Sequence, residues 1–205
     1  MNELLSPVAS YYTQKIKEFG PQPKGVDWNG EDGQLLRFQQ LCQVLDPAAP
    51  FSIVDVGCGY GALFDFLLDR FQSFEYIGID ISETMIETAR DLHKQKPQGR
   101  FVTGTAPEEP VDFAVASGIF NVRLGGDEDA WKAYIRETLT RMNQFTKRGF
   151  AFNCLTSYSD ADRMRPDLHY ADPCELFDLC KRTFSRNVAL LHDYGLYEFT
   201  IVVRK

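Results

Sequence analysis

The stretch "IVDVGCGYGAL" (53–63) sets an aspartate, Asp55, inside an apolar run and then spaces Gly57, Gly59 and Gly61 at alternate positions. Soon afterwards "YIGID" (76–80) closes on a second acid, Asp80. A buried carboxylate needs a partner, and glycines lose more backbone freedom on folding than other residues. Both features therefore ask for a function. Glycines in a strand-to-helix turn let the backbone approach a ligand closely and present amide N–H groups at a helix start. A carboxylate ending the neighbouring strand can accept both hydroxyls of a ribose. The combination reads as a nucleoside site in preference to a tight turn with a capping acid.

The elements that must hold these residues follow from periodicity. "FSIVDVG" is a short buried strand, and "YGALFDFLLDRF" returns to helical spacing through Leu63, Phe64, Leu67, Leu68 and Phe71. "FEYIGID" is a second strand, after which Ser82 caps a helix that buries Met85, Ile86 and Ala89. Weaker strands are predicted at 100–103 and 111–116, and a helix at 128–145. "GFAFNCLT" is a further strand. Asp172, Pro173 and Glu175 then start a helix with a capping-box pattern. "NVALLHDYGLYEFTIVVRK" gives two strands about a glycine turn. The expected fold is α/β: an open, mostly parallel sheet ending in an antiparallel hairpin. Before it, an irregular segment (18–33) leads into "QLLRFQQLCQVL", which puts Leu35, Phe38, Leu41, Cys42 and Leu45 on one helical face.

A length of 205 residues suits one domain with a full core. The net charge of −7, with no basic stripe, disfavours a nucleic-acid partner. Five cysteines without a C-x-x-C pair read as reduced thiols, not a disulfide frame or zinc site. No apolar run is long enough for a bilayer, so a cytoplasmic protein is expected. Oligomeric state is left open.

Glycine spacing does not by itself choose the nucleoside, because Gly57, Gly59 and Ala62 also satisfy the dinucleotide pattern G-x-G-x-x-A. Asp55 stands where dinucleotide strands usually carry an apolar residue. The chain also has no room for a separate substrate domain, and it ends in a hairpin. With "VDVGCGYG" (54–61) and "GIDIS" (78–82), it resembles the class I S-adenosylmethionine-dependent methyltransferases over roughly 50–205. That resemblance implies a Rossmann-like sheet of seven strands, the last inserted antiparallel between the fifth and sixth, with helices on both faces. It implies S-adenosyl-L-methionine as cofactor and a small-molecule acceptor. Asp55 would steady the glycine loop and the methionyl amine region, while Gly57, Cys58, Gly59 and Gly61 line the cofactor. Asp80 would hold the ribose, with Ile81 and Met85 beside the adenine. Thr105 and Ala106 stand where many members carry an acid–small pair, so backbone groups would meet the adenine amine there. In "ASGIFN", Ser117, Gly118 and Phe120 would face the sulfonium end.

Departures from the family narrow the acceptor. "SGIF" (117–120) is not the Asn/Asp-Pro-Pro-Tyr motif of members that methylate base amines or glutamine amides. Ser117 with Asn153 or Thr156 replaces the carboxylates of the metal-dependent catechol type, so no metal is expected. Should a base be needed, the loop "SDADRMRPDLHYADP" (159–173) offers His169 and Tyr170 beside Arg163 and Arg165. His93 is expected at the surface of its helix and His192 in a structural place within the hairpin. Residues 1–45 form a helical extension in which Tyr11, Tyr12 and Trp28 could make a lid, and Arg37 could meet the methionyl carboxylate.

The function expected is in-line transfer of a methyl group from S-adenosylmethionine to oxygen or nitrogen of a small organic acceptor. Two other readings stay open at this point. One is a cofactor-binding regulatory subunit. The other is a small nicotinamide-dependent oxidoreductase, which Asp55 and the lack of a Tyr-x-x-x-Lys pair disfavour.

Overall fold

A computed structural model describes residues 4–28 and 30–205. Seven strands form one sheet: β1 (Phe51–Val56), β2 (Phe74–Asp80), β3 (Gly99–Thr103), β4 (Val111–Ala116), β5 (Thr146–Leu155), β6 (Asn187–Leu191) and β7 (Glu198–Arg204). Their order is β3-β2-β1-β4-β5-β7-β6. The pairs from β3 to β5 are parallel, and β7 runs antiparallel to both β5 and β6. The seven-stranded, mostly parallel arrangement with its antiparallel C-terminal pair is thus present. Strand order reverses between β1 and β4, so the carboxyl ends of β1 and β4 open onto the crevice where such sheets bind ligands.

Among the described residues six α-helices surround the sheet: α1 (Ser6–Phe19), α2 (Glu31–Leu41), α3 (Ala62–Leu68), α4 (Glu83–His93), α5 (Glu128–Phe145) and α6 (Pro173–Thr183). Alternate strand residues point to opposite faces, and this divides the core in two. Val54, Val56, Phe150 and Phe152 meet Trp131, Ile135 and Leu139 of α5 and Leu176 of α6 on one face. Ile53, Tyr76, Phe113 and Val115 meet Phe38 of α2, Phe64 and Leu67 of α3 and Ile86 of α4 on the other. Leu5, just ahead of α1, and Val8 within it join the first cluster, while Ile16 of α1 packs with Tyr60 and Met85.

Local chemistry sets the helix starts. Ser82 Oγ accepts from the Met85 N–H at 3.3 Å, and Asp127 Oδ1 accepts from Ala130 N–H at 2.8 Å. Asp172 Oδ1 accepts from Cys174 and Glu175 at 2.7 and 3.2 Å. The capping box is not completed there, because Glu175 turns away to Arg136, 2.7 Å distant. His93 is a second correction. Instead of facing solvent it is 6% exposed, lies against the Phe64 and Phe101 rings, and brings Nε2 to 3.3 Å from the Tyr60 carbonyl. Space is the reason: a Cβ on Gly61 would lie 2.8 Å from His93 Nε2, so the bare glycine lets the last turn of α4 close over the loop.

Candidate active site

The turn after β1 carries three left-handed glycines, with φ of +78° at Gly57, +55° at Gly59 and +90° at Gly61. Gly57 and Cys58 donate their N–H groups to the Ile79 carbonyl at 2.7 and 3.0 Å, tying the turn to β2. Asp80 completes the tie: Oδ2 accepts from Gly59 N–H at 3.0 Å and Oδ1 from Ser82 N–H at 2.8 Å. Each carboxylate oxygen keeps further acceptor capacity, so these bonds orient Asp80 without exhausting it. Burial pushes its pKa up, and the bonds from Ser82 and Gly59 pull it back.

Asp55 is the deeper acid. Tyr76 donates its hydroxyl to Oδ2 at 2.8 Å, while Oδ1 is buried with no partner among the described residues. Burial raises the Asp55 pKa to about 7, against the pull of the Tyr76 bond. An orphaned acceptor beside a ligand-sized space is a strong sign of what that space receives.

That space is a cavity of about 230 Å³. Asp55, Gly57, Cys58, Gly59, Asp80 and Ile81 border it, with Met85, Gly104 and Thr105 toward β3 and Ser117, Gly118 and Ile119 beyond β4. The N-terminal segment supplies Leu5, Val8, Tyr12, Val26 and Trp28. That segment is pinned. Tyr11 donates to Asp27 Oδ2 at 2.8 Å, Lys15 lies 3.0 Å from Asp27 Oδ1, and the Thr13 and Ser82 hydroxyls are 2.9 Å apart. The approach is close. A Cβ on Gly57 would lie 2.2 Å from Ile119 Cγ2, and one on Gly118 would lie 2.6 Å from the Trp28 ring.

The structure brings together Trp28, Asp55, Gly57, Cys58, Gly59, Asp80, Ile81, Met85, Thr105, Ser117 and Gly118 around this cavity. Other named residues lie elsewhere. Gly61 supports the turn from beneath, against His93 and Phe101. Phe120 is fully buried in the core, its carbonyl accepting from Trp131 Nε1 at 2.9 Å. Ala106 is outside the described lining. Arg37 donates to both oxygens of Glu198, at 2.8 and 2.6 Å, and stacks on Trp28 at 3.9 Å instead of entering the cavity. His169 and Tyr170 border a second cavity with Lys132, Asp172 and Glu175 and are outside the described lining of the first. His169 is 4% exposed, and burial lowers its pKa. The Tyr170 hydroxyl accepts from Arg165 N–H at 2.9 Å. Tyr11 is engaged by Asp27 rather than by the cavity, and His192 lies between Tyr158 and Phe199.

One wall escapes the sequence reading. Tyr134, Glu137, Thr138 and Arg141 of α5 border the cavity near Thr105. Their spacing of i, i+3, i+4 and i+7 marks one helix face, and that largely polar stripe beside the apolar one is the available signal. Gln34 and Phe38 of α2 border the cavity as well. Among the described residues no group of three or more His, Cys, Asp or Glu side chains could hold a metal ion.

An alternate-glycine turn at the carboxyl end of β1, an acid closing β2 and an antiparallel β7 define a Rossmann-like nucleoside-binding domain of the methyltransferase type. Comparison with known proteins agrees. The family described as "Methyltransferase domain" matches residues 53–149. Rv1506c of Mycobacterium tuberculosis (strain ATCC 25618 / H37Rv), which carries a provisional methyltransferase name, is 54% identical over 163 residues, covering 80% of this chain and 98% of that one. A trans-aconitate 2-methyltransferase of Rhodopseudomonas palustris (strain BisB5) is 29% identical over 107 residues, or 46% of this chain and 40% of that protein. The fold is shared with the DhpI-SAM-HEP complex at a TM-score of 0.69 and 13% identity, over 100% of this chain and 99% of that one. The chain belongs to the class I S-adenosylmethionine-dependent methyltransferases.

Proposed function

We propose that the protein moves the methyl group of S-adenosylmethionine to oxygen or nitrogen of a small organic acceptor, without a metal ion. The observation that carries this reading is the unpartnered Asp55 Oδ1, buried beside a glycine turn that leaves room for a ligand. The residues fit the cofactor. Asp80 offers spare acceptor sites for a ribose diol, Ile81 and Met85 supply apolar surface for a base, and Asp55 supplies an acceptor for an ammonium group. Thr105 borders the adenine end, while Ser117 and Gly118 border the sulfonium end. When bound, the cofactor supplies a methyl group on a positively charged sulfur.

The protein's part is then geometry and exclusion of water. Much of the acceleration of an in-line displacement comes from holding the reactants close and collinear, and the pinned N-terminal segment fits that role. Within a single domain spanning 1–205, the segment ahead of α2 acts as the cover, with Tyr12 and Trp28 as its aromatic surface. No general base is assigned. His169 and Tyr170 border the other cavity, and an acceptor already ionised in solution needs none. The name of the Rhodopseudomonas relative makes a small carboxylic acid the first acceptor to assay. No helix among the described residues is long and apolar enough to cross a membrane, and we place the protein in the cytoplasm.

Two measurements test the reading. Calorimetry should show binding of S-adenosylmethionine and S-adenosylhomocysteine but not of a nicotinamide dinucleotide. Labelled methyl should pass to one member of a metabolite panel. Binding without transfer across a broad panel would favour a regulatory subunit.

A further inference from the structure

Glu198, at the first position of β7, is 1% exposed and lies under the cavity wall without touching the cavity. It joins two of that wall's parts. Arg37 donates to it through Nε at 2.8 Å and a terminal nitrogen at 2.6 Å, and the same guanidinium stacks on Trp28 at 3.9 Å. On its other side Asn153, which is 0% exposed, donates Nδ2 to Glu198 Oε2 at 2.6 Å. The Asn153 Oδ1 atom accepts from Gly118 N–H at 2.7 Å. The amide orientation is forced, because a backbone N–H requires an oxygen and a carboxylate requires a donor. The circuit closes where the Trp28 ring meets Gly118. Ile119, the next residue, packs against Gly57 of the glycine turn.

We propose that Glu198 and Asn153 are positioning residues for the methyl-transfer site, setting together the Gly118–Ile119 wall and the Trp28 cover from beneath. Neither touches the cavity. The proposal rests on the reading of that cavity as a cofactor site. The chemistry supports a shared role. A fork-to-carboxylate pair fixes direction as well as distance, and a buried carboxylate that lost either donor would be left partly uncompensated. Arg37 from α2, Cys154 from β5 and Tyr194 from the β6–β7 connection are the titratable or charged groups around Glu198.

The test uses Asn153→Asp and Glu198→Gln, with S-adenosylhomocysteine as the calorimetric probe from pH 6 to 9 and thermal unfolding run in parallel. While protonated, the carboxyl group that Asn153→Asp introduces has the shape and donor–acceptor pattern of the native amide. Once it ionises, two carboxylates face each other at the contact with Glu198. Affinity of Asn153→Asp should sit near wild type at the acid end and fall roughly ten-fold or more toward the alkaline end. Glu198→Gln, which turns an amide donor toward the donors of Arg37 or Asn153, should be weakened at every pH. An Asn153→Asp profile parallel to wild type overturns the proposal, and that profile alone decides if Glu198→Gln fails to fold. Wild-type protein that does not bind the probe overturns the cofactor reading itself, and this proposal with it.

Discussion

Tyr76 of β2 donates its hydroxyl across the sheet to Asp55 of β1 at 2.8 Å, leaving the other Asp55 oxygen buried and unpartnered among the described residues. The acid is held half-satisfied. Burial lifts its pKa to about 7. A carboxyl raised above its unfolded value binds its proton more tightly when folded. Its contribution is therefore most favourable below the ordinary carboxylate pKa and is lost as pH rises toward about 7. Asp55→Asn should flatten the fall in thermal stability between about pH 4 and 7. The same change should weaken S-adenosylmethionine roughly ten-fold by removing a charged acceptor. A variant with the wild-type dependence of melting on pH would show that Asp55 is not its source.

The close packing of Gly57 makes a second expectation. Alanine there would adopt φ near +78° and drive its Cβ to 2.2 Å from Ile119 Cγ2. Gly57→Ala should lose about 1–3 kcal/mol of stability in denaturant unfolding. Adding Ile119→Ala should return the steric part and leave the backbone strain. Additive losses would refute the contact as the cause.

The cover depends on Asp27, which receives Tyr11 at 2.8 Å and Lys15 at 3.0 Å. Asp27→Ala should release the segment to limited proteolysis while lowering global stability by no more than about 2 kcal/mol. Deleting residues 1–20 should weaken retention of cofactor or acceptor. Unchanged binding of both would rule out the cover.

His169 gives a prediction about pH of opposite sign. Burial lowers its pKa, so the folded protein resists protonation there, and stability should fall as pH drops below about 6.5, the ordinary histidine value. His169→Ala should lessen that acid-side loss while leaving the pH profile of methyl transfer unchanged. A variant that loses turnover with its fold intact would restore His169 as a base or orienting group.

The alternating elements are legible because their signals are local: apolar runs in β1 and β2, the Ser82 and Asp172 caps, and the glycines whose only gain is close approach. Placement of β7 between β5 and β6 comes from the family resemblance, since pairing order is not local information. The parts that escape the sequence share one character, a partner distant along the chain. Arg37 looks free for a ligand, yet its carboxylate lies 161 residues away at Glu198. His93 looks exposed because nothing in α4 announces that Gly61, in another element, leaves room above it. For His169 and Tyr170, composition identifies a loop rich in polar groups but not which cavity it borders.

Strand β7 joins the sheet between β5 and β6 although every other strand precedes it in the chain. Without residues 198–204, one long edge of β5 has no native partner, and β6 has no strand to pair with. An open apolar edge of that kind invites pairing with neighbouring nascent chains. Glu198 belongs to that late strand, so Arg37 and Asn153 gain their shared counterion at the same moment as the edge is sealed.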